Sequence, residues 1–262
     1  MTTVKDILNY LETLAPAHMK ESWDNVGLLC GDPAAPVHTV LLALDPFEGV
    51  CQEAKAVGAD LLITHHPLIF QPAKAITTQT SIGRSILTLC GAGISAINAH
   101  TNLDCANGGV NTVLAQTLGL ENIQVITPSG TDDAGEPWGL LRMGNYDATL
   151  PDFLAHVKQT LGCEGLRYVS GGKSVHTVAV GGGACAGGIR EAFDAGCDTF
   201  VTADVKYNQF WDARDLGMNL IDAGHFQTEN PVIPVLAAKL HAAFPEITVK
   251  ISETHKDCMK FY

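Results

Sequence analysis

Three short stretches of the sequence concentrate side chains able to bind a metal ion or move a proton. LLITHHPLIF carries His65 and His66 between an apolar run and Pro67, NAHTNLDCANGG carries His100 and Asp104, and IDAGHFQTENP carries His225 and Glu229. Neutral imidazoles suit Zn, Fe, Mn, Co or Ni. Taken singly, each stretch has an ordinary structural alternative. Adjacent residues on a regular strand point to opposite faces, so His65 and His66 can serve one site only if the strand stops there, as Pro67 favours. Asp104 could be the N-cap of the following helix, and His100 a third ligand, a partner of a ligand, or a buried residue. His225 and Glu229 could be the solvated start of a helix capped near Thr228, with Pro231 in its first turn. Taken together, two or three histidines with two carboxylates make the donor set of a dinuclear site. Two ions roughly 3.5–4 Å apart can activate water and hold both the attacking and the leaving oxygen of a hydrolysis.

Residues so far apart in the chain need a fold that brings them together, and an internal repeat offers one. Residues 38–66 (HTVLLALDPFEGVCQEAKAVGADLLITHH) align without a gap on residues 176–204 (HTVAVGGGACAGGIREAFDAGCDTFVTAD). The matches are His38/His176, Thr39/Thr177, Val40/Val178, Gly49/Gly187, Glu53/Glu191, Ala54/Ala192, Gly58/Gly196, Asp60/Asp198 and Thr64/Thr202. Both copies read as strand, loop, helix closing at a glycine, then strand. A second pair follows, ISAINAHTNLD (94–104) and NLIDAGHFQTE (219–229), each an apolar strand running into polar residues. Strands alternating with helices of about ten to fourteen residues predict an α/β protein with largely parallel strands.

The expected architecture is two structurally related, intertwined α/β halves that arose by internal duplication. The first, residues 1–126, carries His65, His66 and Asp104; the second, 127–262, carries His225 and Glu229. The Pro-, Ser-, Gly- and Asp-rich loop TPSGTDDAGEP (127–137) marks the boundary. The site is expected in the crevice between the halves, at strand ends, where α/β proteins place ligands. Chance similarity between two ordinary βαβ units is the alternative.

Composition sets the class. Of 262 residues, 46% are hydrophobic and 17% charged, which provides a sizeable core and excludes wholesale disorder. A formal net charge of −12 argues against nucleic acid as a partner, since sequence-independent binding needs Lys and Arg against phosphates. It leaves room for a nucleotide whose phosphates sit on metal ions. Val4, Ile7, Leu8, Leu11 and Leu14 recur at helical spacing, with Asp6 and Glu12 among them, so the N-terminus reads as an amphipathic helix rather than a signal peptide. No apolar stretch approaches the roughly 18 residues of a membrane span. The 8 cysteines include no CxxC pair and read as reduced thiols of a cytoplasmic protein.

Other residues are ambivalent. Asp24, in WDN, could line the site or form a turn. GGGACAGG (181–188) has no GK[ST] and no dinucleotide spacing, so it is expected to let backbone pass close to the site or to cap the next helix. Asp204 occupies the repeat position of His66 and could act as an acid or base; Lys206 and Tyr207 could hold an anion. Cys105, with no basic partner evident, reads as an inert small thiol.

At these positions the chain resembles the Nif-three-like family, whose bacterial members are commonly named GTP cyclohydrolase type 2 homologues. The resemblance rests on ESWDNVGLLCGDP, ALD (43–45), ITHHPLIF, NAHTNLDCANGGVN, TADVKYNQFWDA and DAGHFQTE, and covers nearly the whole chain. It implies His65, His66, Asp104, His225 and Glu229 as ligands, Asp104 and Glu229 as bridges, and a toroidal homohexamer as the assembly. Two departures unsettle substrate contacts rather than ligands: Asn208 follows Tyr207 where the family often has histidine, and Ala184, Cys185 and Ala186 stand where it often has serine. The function so implied is a hydrolase of nucleotide-like or phosphorylated small molecules, dependent on two divalent metal ions per chain, with Asp204 and His100 as its catalytic candidates. The rival is a metal-binding regulatory or interaction protein without turnover.

Overall fold

Short apolar runs without alternation become strands buried on both faces, as parallel sheets covered by helices require. Leu61–Thr64, Ser95–Asn98, Thr199–Thr202 and Asn219–Asp222 are each buried along their whole length. The computed structural model describes residues 1–262. The chain runs through α1 (Val4–Leu14), β1 (Gly27–Cys30), β2 (Thr39–Ala43), α2 (Glu48–Ala56), β3 (Leu61–Thr64), α3 (Ser81–Ala92), β4 (Ser95–Asn98), α4 (Thr101–Cys105) and α5 (Val110–Thr117). It continues with β5 (Glu121–Val125), β6 (Gly130–Thr131), β7 (Pro137–Trp138), β8 (Arg142–Ala148), α6 (Leu150–Leu161), β9 (Arg167–Val169), β10 (Val175–Val180) and α7 (Ile189–Asp194). The last elements are β11 (Thr199–Thr202), α8 (Tyr207–Asp215), β12 (Asn219–Asp222), α9 (His225–Glu229), α10 (Val232–Ala243) and β13 (Thr248–Ile251).

Local chemistry sets several boundaries. Thr3 and Asp6 form a reciprocal capping box on α1, whose Val4, Ile7 and Leu11 are buried as their spacing requires. Thr80 caps α3 and Thr149 caps α6, and both helices end on glycines in the left-handed region, Gly93 and Gly162. No helix is long and apolar enough to cross a membrane.

The chain divides into two units, Met1–Leu103 with Ile233–Lys256, and Asp104–Val232 with Asp257–Tyr262. In the first, the sheet order is β1-β4-β3-β2-β13. β2, β3, β4 and β13 run parallel, while β1 pairs antiparallel with β4. Leu41, Ala43, Leu62 and Ala96 from the sheet pack with Val50, Ala54, Ile86 and Leu89 from α2 and α3.

In the second unit the order is β5-β8-β10-β11-β12-β9. Only β10, β11 and β12 are parallel, so the expectation of largely parallel strands holds for the centre and not for the antiparallel edges. Alternate residues serve opposite faces. Val178, Val180, Val201 and Ile221 pack with Leu114 of α5 and Phe153 and Val157 of α6. Ala179, Phe200 and Leu220 pack with Ile189, Ala192 and Ala213 of α7 and α8. Burying each large apolar side chain contributes about 1.5–3 kcal/mol.

The repeated sequence takes the same local structure in both units. Asp60 Oδ2 accepts hydrogen bonds from the backbone N–H of His38 (2.7 Å) and Thr39 (2.9 Å). Asp198 Oδ2 accepts from His176 (3.0 Å) and Thr177 (2.9 Å). Ala99 N–H donates to Thr64 O, and Ala223 N–H to Thr202 O, where each unit's third parallel strand ends.

The division departs from the expected 1–126 and 127–262. Leu114, Ala115 and Leu118 of α5 belong to the core of the second unit, and β13 returns to pair with β2 in the first. The polar stretch 127–137 holds β6 and the turn that leads back into β7, a hairpin within the second unit and not a linker.

Candidate metal centre

In the first unit the polar residues gather where the parallel strands end. β2 leads to Asp45, β3 to His65 and His66, β4 to His100, and β13 to His255. β3 stops at Thr64, whose hydroxyl donates to His66 O at 2.7 Å, and His66 N–H turns back to Leu44 O at 2.9 Å. The break frees adjacent residues from opposite faces. The rings of His65 and His66 lie 4.9 Å apart, and His100 is 5.2 Å and 5.4 Å from them. One ligand nitrogen from each of the three falls within 4.8 Å of the others, a group able to hold a metal ion.

Each of these imidazoles is held by Nδ1. His65 Nδ1 donates to the Ala99 carbonyl at 2.8 Å, which can only accept, so the tautomer is set. His66 Nδ1 donates to Asp45 Oδ1 at 2.7 Å and His100 Nδ1 to Asp24 Oδ1 at 2.8 Å. Nε2 is therefore the ring atom left to offer a lone pair in the neutral form of all three, the arrangement that carboxylates and carbonyls impose on metal-binding histidines.

The two orienting carboxylates are themselves fixed. Burial alone would raise Asp24, but hydrogen bonds from His100 and Thr101 outweigh it and hold the carboxyl well below its usual range. Thr101 N–H and hydroxyl both donate to Asp24 Oδ2, so Asp24 also tethers the start of α4. Burial likewise works against the charge on Asp45, and its bonds with His255 and His66 prevail. His255 Nε2 lies 2.9 Å from Asp45 Oδ2.

The second unit supplies carboxylates and one imidazole. His225 Nδ1 donates to Asp204 Oδ2 at 2.8 Å, and its Nε2 lies 3.0 Å from Glu229 Oε2, one helical turn on. With carboxylates beside both nitrogens, His225 calls for positive charge at Nε2, from a proton or a cation. A carboxylate oxygen of Asp104 lies within 4.8 Å of one from Glu229, and both residues are buried. Asp104 does not cap α5, whose N-cap is Gly109. Nor does Thr228 start a helix: α9 begins at His225 after Gly224, and the Thr228 hydroxyl instead accepts from Gly183 N–H at 2.9 Å.

The glycine-rich turn after β10 passes against Glu229 and His225 and then caps α7 through Gly188. Gly183 sits at φ +59°, and a Cβ there would overlap Glu229 Oε1 and come within 3.0 Å of His225 Nε2. The space beside these donors exists only because position 183 lacks a side chain. Burial pushes the Cys185 thiol well above the usual range, and the Asp104 and Glu229 charges push it further, which favours the protonated thiol.

The first unit thus brings His65, His66 and His100 together and the second Asp104, His225 and Glu229, so Asp104 falls with the second unit and not, as expected, with His65 and His66. Sequence reasoning gave no role to Asp45 or His255, and singled out the 181–188 segment without picking out Gly183 within it. Only the place of Asp45 just past a strand could have marked it. The donor chemistry, the fixed tautomers and the space at Gly183 all fit divalent metal ions.

Comparison with known proteins agrees across the chain. A family model described as Duf34/NIF3 (NGG1p interacting factor 3) matches residues 2–258. A Clostridium perfringens protein named GTP cyclohydrolase 1 type 2 homolog is 33% identical over 260 residues, 98% of this chain and 99% of the relative. The crystal structure of a Staphylococcus aureus hypothetical protein superposes with a TM-score of 0.93 at 31% identity, covering 99% of each chain. That of a Bacillus cereus protein related to NIF3 gives 0.90 at 28% identity, covering 100% of this chain and 99% of the other. The chain belongs to the Duf34/NIF3 family.

Proposed function

We propose that this chain is a cytoplasmic, divalent-metal-dependent hydrolase of nucleotide-like or phosphorylated small molecules, with His65, His66, Asp104, His225 and Glu229 as ligands of a dinuclear centre. The observation that carries the reading is the uniform fixing of the histidines. His65, His66, His100 and His225 all have Nδ1 held by a carbonyl or carboxylate, which leaves Nε2 as the ring atom able to coordinate an ion. A single ion of this kind takes three or four protein ligands in a typical site, and the donor set exceeds that. When bound, the ions would supply Lewis acidity and lower the pKa of water.

The chain's own residues do the rest. Asp45 and Asp24 orient His66 and His100, and Ala99 O orients His65. Asp204 holds His225 and, half-exposed, can take up a proton as well as orient the ring. His100 has its Nδ1 fixed and is placed either to complete a ligand set or to pass a proton at Nε2. The names of relatives favour a purine nucleotide as substrate, and the family resemblance favours a homohexamer. The family description, an interacting factor, favours the rival reading of a metal-binding protein without turnover.

Metal analysis followed by a nucleotide and phosphoester panel under several divalent ions separates the two readings. Turnover that disappears in His65→Ala and Glu229→Ala while the fold persists supports the hydrolase. Stoichiometric metal with no turnover on any substrate supports the rival.

A further inference from the structure

Away from the histidines, the first unit places two thiols against each other. Cys30 ends β1 and Cys90 lies on the last turn of α3, and their sulfurs are 3.3 Å apart. The contact joins residues 60 positions apart in sequence. Cys90 is exposed and Cys30 half-buried, whereas Cys51, Cys105, Cys163 and Cys197 are buried. We propose that Cys30 and Cys90 form a reversible dithiol–disulfide pair, a redox modification site that requires little movement of the backbone.

The order of steps follows from access. Cys90, reachable from solvent, attacks a peroxide oxygen as the thiolate; the O–O bond breaks and Cys90 becomes a sulfenic acid, with the other oxygen leaving as water. The Cys30 sulfur then forms the S–S bond, the S–OH bond of Cys90 breaks, and the hydroxyl leaves as water with the Cys30 proton. Two thiols and one peroxide give one disulfide and two waters, and a dithiol reductant reverses the oxidation. Burial, with Cys90 beside it, pushes the Cys30 thiol up to about 12, which disfavours Cys30 as the first group to meet the peroxide, while its 3.3 Å contact with the Cys90 sulfur places it for the second step.

The cross-link would tie the edge strand β1 to α3. β1 starts one residue after Trp23–Asn25, whose Asp24 carboxylate holds His100, and Asn98 of β4 donates to Asn25 O at 3.0 Å. The oxidised form should therefore be more resistant to unfolding, with the segment before β1 exchanging its amide hydrogens more slowly.

The experiment treats the purified full chain with stoichiometric hydrogen peroxide, blocks remaining thiols, digests without reduction and maps the products by mass spectrometry. The expected result is a peptide pair joined through Cys30 and Cys90, restored to free thiols by dithiothreitol, absent in Cys90→Ser and retained in Cys258→Ser. Cys90 oxidised to sulfinic or sulfonic acid while Cys30 stays a thiol would overturn the proposal. So would a cross-link from either residue to Cys258 or to a second molecule. Because the wild-type map alone gives these outcomes, poor folding of a variant would not blunt the test.

Discussion

Replacing Gly183 by alanine probes whether the second unit is shaped around the proposed ligands His225 and Glu229. At φ +59° a residue with a Cβ loses roughly 1–2 kcal/mol to the left-handed backbone. The same Cβ would overlap Glu229 Oε1 and lie 2.9 Å from Glu229 Cδ. The turn cannot easily retreat, because Gly183 N–H donates to Thr228 at 2.9 Å and Gly183 O accepts from Ala203 N–H at 3.0 Å. Overpacking of this kind costs about 1–3 kcal/mol. The total, on the order of 2–5 kcal/mol, is less than the stability of most domains, so the variant should fold. The buried Glu229 carboxylate must move, and divalent-metal affinity should fall by at least about 10–100-fold, the usual effect of disturbing a ligand's setting. Gly187→Ala, in the same turn with nothing within 4 Å of its Cβ, is the control. Titration calorimetry with Mn or Zn, alongside urea unfolding, measures both effects. Wild-type affinity in Gly183→Ala would refute the reasoning, as would an equal loss in the control.

Further expectations follow from the same contacts. Asp45→Asn removes the charge that orients His66 and faces His255, and should weaken metal binding about 10–100-fold by calorimetry with little change in fold by circular dichroism. Asp24 and Asp45 are both held below the ordinary carboxylate value of 3.8, so their contribution to stability is present above about pH 4 and lost as pH falls through the folded-state values. The acid limb of a stability–pH curve should accordingly flatten in the Asp24→Asn, Asp45→Asn double variant. Arg142 is buried and donates to the carbonyls of Cys105 and Ala106 beside Asp104. Arg142→Ala leaves Cys105 O and Ala106 O with only the N–H groups of Gly139 and Gly109 and takes the Arg142 donor from Gly139 O, at about 1–3 kcal/mol for that carbonyl, and should lower the urea midpoint.

The strand–helix repeat and the histidine clusters were legible because each has a local signature. Apolar runs of strand length end in HisHis-Pro or in polar residues, and Asp60 and Asp198 recur at matching positions. The division of the chain was not legible. The Pro- and Gly-rich stretch 127–137 has the composition of a linker yet closes a hairpin, while the crossing at Leu103–Asp104 lies inside a short helix with no change of composition. Thr228 looks like a helix cap by residue type, and only tertiary structure turns its hydroxyl to Gly183. Asp45 and His255 contact each other across 210 positions, a pairing no local pattern encodes.

The central claim is that this chain holds a dinuclear centre, and metal content of the purified full chain after anaerobic reconstitution tests it most directly. The account predicts two divalent ions per chain, reduced in both His65→Ala and Glu229→Ala while circular dichroism stays unchanged. Less than one ion per chain in the wild type, or undiminished metal in those variants, would contradict it.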